Sequence, residues 1–547
     1  MAITQAQILM KNNLWLWILS IAAIFLYTFN LGELPLRDWD EGIVATVARE
    51  IYRADWQDFV WLYPQNIDGS SYWNKPPLIH GLIALNYYFF GVNELTTRIV
   101  PATISALCVP LLYLIGKEIF IERKGAIFSA IVYLTLIPVA RHNRLAMLDG
   151  VINLEFCLLI WCLLKLRSCI DRQYIKTIHQ KLYLLGIGIS FSLLCLTKGI
   201  AIALLIGSIA LLFVLLEFSI FSALLTRQNF LIFVLSLSPA FIWYLLQYLH
   251  YGQEFINYNL GTQTFNRAIN AVENNYQPVW YYLLELIEYS LPWSIFLPGA
   301  IKLAWKEKNK IWSKLILVWF WGYLLVISLM NTKLPWYIMP IYPAFSLLVG
   351  RKLQIIIELQ NKRKLKKTVY QICFLLLSII FWLAAIYYAF FNQSRDIGLL
   401  SIASLLAATF TISTILIARH SVYFIFFLAI GLYIALLTFF NTPHAIWELA
   451  EAYPVKPVAK LIRENTPTKK AVYTTYPHYR PSLDFYSERS VIPISETRLR
   501  EKLSNSDRVY LLVSRDTPQI PNSKVIDEIA AWRVVLIKTN QINTNQS

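Results

Sequence analysis

The chain has 547 residues, 57% of them hydrophobic and only 15% charged, and its 49 basic against 33 acidic side chains give a formal charge of +16. A soluble globular chain is about 45–50% apolar and about 25% charged, so the composition excludes an ordinary soluble domain. The positive charge does not mark a nucleic-acid binder, because many Lys and Arg lie in short loops such as 302–314 and 351–367, where basic residues fix membrane orientation.

Along the chain, apolar runs of roughly 17–22 residues recur, each long enough to cross a hydrocarbon core of about 30 Å as a helix. They predict spans near 14–31, 97–116, 125–140, 150–166, 182–198, 199–217, 230–249, 280–300, 313–330, 336–350, 369–391, 397–417 and 421–440. The expected fold is therefore a polytopic α-helical membrane protein of about thirteen transmembrane helices. The runs are continuous, not alternating, which excludes a closed β-barrel. The first is too long for a signal-peptide core and shows no small-residue cleavage site, so it is read as a retained helix. With the N-terminus inside, the basic loops at 117–124, 165–181, 302–314, 351–367 and 419–420 all face the cytoplasm, and residue 441 onward lies outside.

Three external segments follow. The loop 32–96 is predicted to carry two helices lying on the membrane. One, at 40–53, places Ile43, Val44, Val47 and Ile51 opposite Arg49, Glu50 and Arg53. The other, at 77–90, is opened by Pro76 and Pro77. The second segment, 250–279, is rich in Asn, Gln and Tyr. The third, 441–547, reads as a small extracytoplasmic α/β domain, with a helix at 455–465 and strands near 471–475, 509–514 and 532–538. The chain thus divides into a transmembrane domain, 1–440, and this tail. The six cysteines fall in apolar helices or a basic loop, and free thiols are expected. No internal repeat stands out, which weighs against a secondary transporter.

A charge at the bilayer centre costs about 2.5–3.5 kcal/mol on insertion scales, so the placement of charge is informative. Asp38, Asp40, Glu41, Lys75, Arg98, Arg141, His142, Arg144, Asp149, Lys198 and Lys333 all gather at external helix ends. A set confined to one face points to a cavity at the outer leaflet and to a lipid substrate with a charged head group. Each residue also has a plainer reading. Asp40 can cap a helix that starts at Glu41, or act as a general base in a partly desolvated cleft. Lys75, in Ser71–Gly81 (SYWNKPPLIHG), can meet a phosphate or snorkel at the bilayer edge. Lys333 and Tyr337, four residues apart beside three prolines, can share a site, with Lys333 expected to bind a phosphate alongside Lys75, or anchor the interface. Arg141 and Arg144 put positive charge outside, against the orientation rule, and call for an anionic partner, with Asp149 at the next helix entry. The Asp38-Trp39-Asp40 triplet is too short to indicate a nucleotide-sugar metal site. His80, His142 and His250 show no ligand spacing, so no metal is expected.

Taken together, DWDEGIVATVAREI, YWNKPPLIHGLIAL, ARHNRLAMLDG, LTKG and TKLPWYIMPIYP, with RPSLDFYSER in the tail, resemble the GT-C-fold glycosyltransferases that use lipid-linked sugars. The likeness is to the protein O-mannosyltransferase superfamily, in its bacterial aminoarabinose (lipid A) transferase branch. It covers nearly the whole chain. It implies transfer of a sugar from a polyprenyl (undecaprenyl) phosphate to a lipid or protein acceptor at the outer, periplasmic face of the cytoplasmic membrane, by one inverting displacement and without a cofactor. It implies a catalytic role for Asp40, with Glu41 beside it, and donor-phosphate contacts from Lys75, Tyr72 and Tyr337. Two positions depart from the branch. Asn74 stands where an acid usually precedes the lysine, and Gly42 and Ile43 stand where an arginine usually follows the Asp-Glu pair. These bear on the sugar and the acceptor more than on the reaction. The competing reading is a flippase or transporter for a polyprenyl-linked lipid, and a third is a receptor-like scaffold with the tail as its binding module.

Overall fold

The computed structural model describes residues 2–171, 177–266, 270, 276–361, 368–393, 395–445, 453–468, 470–506, 508–518, 520, 523–529 and 531–538. The chain forms two compact units, neither continuous in sequence. One comprises Met1–Leu31, Trp73–Pro76 and Pro101–Ala445, the other Gly32–Tyr72, Pro77–Val100 and Ile446–Ser547.

The first unit is built from apolar helices. Among the described residues, five helices of the chain are long and apolar enough to cross a membrane: Glu94–Ile119, Ile178–Lys198, Ile311–Leu329, Val369–Phe391 and Ile397–Ala418. The bent pair Arg227–Ser236 and Ser238–Tyr251 makes a sixth if read as one span. Leu14–Thr28, Ile200–Leu216 and Phe424–Phe440 are shorter apolar helices at other predicted positions. The expected count of about thirteen is thus not confirmed, and the physical reason is that several runs are short or broken. The run at 280–300 is divided into helices Tyr281–Tyr289 and Leu297–Lys306 around a turn at Trp293–Phe296. The run at 336–350 starts as a 3₁₀ turn, Pro335–Ile341, because Pro335 and Pro340 remove backbone donors. Helix Thr368–Ile386 leaves Ile372, Leu375, Leu376, Ile379, Ile380 and Leu383 exposed. Such a face suits lipid, where only a fully hydrogen-bonded backbone is stable.

In the second unit, helix Asp40–Arg53 buries Val44, Ala45, Val47 and Ala48, packing on helices Leu78–Phe90 and Pro481–Ser487. The expectation that Arg49 lies on a polar face is corrected. Arg49 is 2% exposed, donates through Nη1 to the Phe485 carbonyl and sits 5.2 Å over the Phe485 ring. The tail supplies acceptors that the helical pattern alone does not reveal. Helix Leu78–Phe90 does keep Leu85, Tyr88, Phe89 and Phe90 exposed, an aromatic face suited to a membrane interface.

The tail carries a five-stranded sheet among its described residues: β1 Val472–Thr474, β2 Val491–Pro493, β3 Arg508–Ser514, β4 Ser523–Ile529 and β5 Trp532–Lys538, in the order β2-β1-β3-β5-β4. β1 pairs in parallel with β2 and β3, and β5 pairs antiparallel with β3 and β4. Strand alternation sends Leu512 to one face, under Val458, Leu461 and Ile462 of helix Val455–Asn465. It sends Val509, Leu511 and Val513 to the other face, against Leu499 of helix Glu496–Ser504.

Candidate functional site

In the first unit a cavity of about 250 Å³ opens among Asn74, Lys75, Asp149, Lys198, Tyr323 and Tyr337 at its polar end, with Ile152, Ile200, Leu205, Val326, Ile327 and Met330 along its apolar wall. Ligand pockets are typically about 300–1,000 Å³, so this one lies just below that range, with room for a head group. Local chain chemistry explains how each side chain arrives there. Helix Thr177–Lys198 stops at Lys198 because Gly199 takes φ +104°, a conformation open to glycine and strained for other residues. Asp149 opens helix Asp149–Asp171, where a negative charge is favoured by the helix dipole. The Lys198 ammonium donates to Asp149 Oδ1 at 2.5 Å and lies 5.9 Å from the centre of the Tyr337 ring.

Tyr337 stands on the 3₁₀ turn that follows Pro335. The Tyr282 hydroxyl holds this turn by accepting from the Leu334 amide at 3.1 Å and donating to its carbonyl at 3.0 Å. Trp319 Nε1 donates to the Pro340 carbonyl at 2.8 Å. Lys75 is carried by the short stretch Trp73–Pro76. Trp73 packs edge-on against Tyr251 and Tyr258, with centroids 5.3 and 5.8 Å away. Asn74 Oδ1 accepts from the Tyr258 hydroxyl and, at 3.2 Å, from Gln263 Nε2. A positive pole built by two lysines, next to tyrosine hydroxyls and an apolar wall, can hold an anionic head group joined to a lipid chain.

Of the residues singled out from sequence, Asn74, Lys75, Asp149, Lys198 and Tyr337 line this cavity. Lys333 is not among its lining residues. It is buried, its Nζ donates to the Met330 carbonyl, and desolvation lowers its pKa. Arg144 is committed within the same unit, donating to the Leu26 carbonyl at 2.7 Å and sitting 4.0 Å over the Phe440 ring. Arg141 is buried at the end of helix Ile137–His142. Tyr323 is visible only as part of an apolar span, and only the Asn-, Gln- and Tyr-rich composition of 250–279 points toward Tyr258 and Gln263.

Tyr72, Asp40 and Glu41 belong to the second unit. Tyr72 is buried edge-on against His80 at 5.5 Å. Glu41 is 1% exposed and makes a bidentate ion pair with Arg98, from Nε and Nη2 at 2.8 Å each, while its Oε2 also accepts from the Arg37 amide at 2.9 Å. Asp40 is the first residue of its helix, and the preceding Trp39 supplies no side-chain cap. Asp38 accepts from Arg480 and from the Ser482 hydroxyl, tying the loop to the tail. Among the described residues no three His, Cys, Asp or Glu side chains form a metal-ligand group.

The profile of the dolichyl-phosphate-mannose-protein mannosyltransferase family matches residues 12–253. The undecaprenyl phosphate-alpha-4-amino-4-deoxy-L-arabinose arabinosyl transferase of Wigglesworthia glossinidia brevipalpis is 29% identical over 363 residues. The match covers 65% of this chain and 61% of that one, so it spans less than two thirds of the relative's length. The crystal structure of ArnT from Cupriavidus metallidurans bound to undecaprenyl phosphate superposes with a TM-score of 0.75 at 16% identity, covering 96% of this chain and 98% of the other. The archaeal oligosaccharyltransferase AglB from Archaeoglobus fulgidus, in complex with an inhibitory peptide and a dolichol-phosphate, gives a TM-score of 0.52 at 12% identity, with 91% and 69% coverage.

Proposed function

The chain has the GT-C fold, and from that premise we propose that it is an integral-membrane glycosyltransferase. It moves a sugar from a polyprenyl-phosphate donor to a lipid A-like or protein acceptor on the outer face of the cytoplasmic membrane. The observation that carries the reading is the cavity of the first unit. Lys75, Lys198 and Tyr337 gather at one end for a phosphate, and Ile200, Leu205, Val326 and Met330 line the way for a polyprenyl chain. Kinship with transferases named for undecaprenyl-phosphate donors supports it.

In the transfer, the bond from the anomeric carbon to the phosphate oxygen breaks and its electron pair leaves on the phosphate. The acceptor oxygen bonds to the same carbon from the opposite face, inverting it. Positive charge around the departing phosphate stabilises that charge as it grows, the form of catalysis that usually contributes most. We assign Asp40 to the reacting carbon, on the sequence motif that carries it. With a hydroxyl acceptor it takes the proton. With a phosphate acceptor, already ionised, it balances positive charge on the sugar ring. Glu41, neutralised by Arg98, is assigned to holding its helix in place. Lys333, bonded to the Met330 carbonyl, is assigned to shaping its loop.

The test uses the whole chain in lipid nanodiscs, supplied with sugar-loaded undecaprenyl phosphate and bacterial envelope extract. Asp40→Asn is expected to lower transfer by about 10²-fold or more and to leave undecaprenyl-phosphate affinity unchanged. Lys75→Ala is expected to weaken that affinity about tenfold or more, since a hydrogen bond to a charged group contributes about 1.5–3 kcal/mol. Undiminished turnover in Asp40→Asn refutes the catalytic assignment.

A further inference from the structure

We propose that the chain holds an anionic phospholipid at a second site, where helices Leu297–Lys306, Tyr342–Asn361 and Thr368–Ile386 come together. The site shares no residue with the donor cavity and does not depend on how that cavity is read. Its head-group end is formed by Lys302, Lys352 and Tyr370. The Lys352 side chain crosses Gly299, and its Nζ and the Tyr370 hydroxyl each lie 3.4 Å from where a β-carbon on Gly299 would stand. Lys302 is one turn further along the Gly299 helix, on the same face, near enough for its charge to act against that of Lys352. Among the described residues neither lysine makes a hydrogen bond or an ion pair. Lys302 is exposed and Lys352 half-buried, so a ligand can reach both. The acid of the adjoining loop is already used: Glu307 takes Lys310 at 2.9 Å, Arg351 at 3.7 Å and the Trp312 Nε1 at 2.9 Å.

Two neighbouring ammonium groups repel each other, and half-burying one of them adds a desolvation cost. An anion set against both relieves the two penalties together. The surrounding surface indicates which anion. Tyr370 stacks on Phe296 at 5.1 Å, which fixes its ring beside the lysines. From there, helix Thr368–Ile386 exposes Val369, Ile372, Leu376, Ile379 and Leu383 at helical spacing. That stripe gives acyl chains a path leading away from the charged end. A free phosphate would use the lysines alone, whereas a phosphodiester carrying acyl chains uses the lysines and the stripe. Both lysines also belong to the basic stretches 302–314 and 351–367, predicted to face the cytoplasm, where basic pockets between spans bind anionic lipid head groups.

The experiment places the full-length chain in nanodiscs of phosphatidylcholine, with and without phosphatidylglycerol, and counts the lipids it retains by native mass spectrometry. The wild type should keep one phosphatidylglycerol about tenfold more tightly than phosphatidylcholine, whose choline offsets its phosphate. Lys352→Gln should lose that lipid, and Lys352→Arg should keep it. Lys302→Gln, at an exposed position where folding is not at stake, should lose it as well. Excess inorganic phosphate should leave the lipid in place, and undecaprenyl-phosphate affinity should be the same in every variant. Equal retention of phosphatidylglycerol by the wild type and both glutamine variants would overturn the inference. So would displacement of the lipid by inorganic phosphate, which would mark a site for a free anion. Parallel loss of undecaprenyl-phosphate affinity would assign the two lysines to the donor and overturn the inference too.

Discussion

Two adjacent carboxylates stand at the start of one helix. Glu41 is locked between Arg98 and the Arg37 amide, while Asp40 is the first residue of the helix. Sequence gives both the same type and neighbourhood, so only the packing of Arg98 separates them. A third acid, Asp484 on helix Pro481–Ser487 of the tail, is 1% exposed. Burial pushes its carboxyl up to about 7, against the lowering effect of hydrogen bonds from Tyr479 and the Val491 amide. An unfolded aspartate titrates near 3.9. Between about pH 4 and pH 7 the folded chain therefore holds more protons than the unfolded one, and stability falls as pH rises through that window. Asp484→Asn, which cannot ionise, should flatten the profile. The wild-type thermal midpoint should drop relative to the variant on going from pH 5 to pH 7.5, by the equivalent of roughly 2–4 kcal/mol. Parallel profiles for the two proteins would mean that Asp484 is already ionised at pH 5.

Helix Asp40–Arg53 shows what an element can and cannot reveal of itself. Its range is legible from apolar spacing, as are Leu78–Phe90, within one residue, and Val455–Asn465. Its packing is not. Gly42 faces the start of helix Pro481–Ser487, where an added methyl carbon would stand 2.6 Å from the Ser482 amide nitrogen and 2.8 Å from the Pro481 carbonyl carbon. Those are backbone atoms and cannot swing aside. Alanine is the better helix former by about 1 kcal/mol, but overpacking costs about 1–3 kcal/mol, so Gly42→Ala should lose stability on balance. A lowered thermal midpoint checks this, and an unchanged or raised one would show that the two helices part freely. In the sheet, β1, β3 and β5 are visible in the sequence, while β2 and β4 are not. The two that escape are the sheet's edges. β4, with the sequence SKVIDEI, is largely exposed, and a charged, solvated edge lacks the alternation that marks an inner strand.

For the molecule as a whole, the choice between transferase and flippase is decided by products. Mass spectrometry of envelope lipids and glycoproteins from cells with and without the chain should show one fixed sugar mass missing from an acceptor when the chain is absent. A changed distribution of polyprenyl lipid between leaflets, with every mass increment intact, would favour the flippase. The amino-acid order by itself determined that the protein is a helical membrane protein with a polar tail and that its ionisable groups collect at helix ends. Hydrophobic length and the cost of charge in lipid are properties of contiguous residues, so they can be read locally. Tertiary structure alone decided that Lys75, Asp149, Lys198 and Tyr337, up to 262 positions apart, line one cavity, and that Lys333 and Arg144 serve backbone carbonyls instead. The partner of a charged side chain depends on which distant segments fold beside it, and no local pattern encodes that.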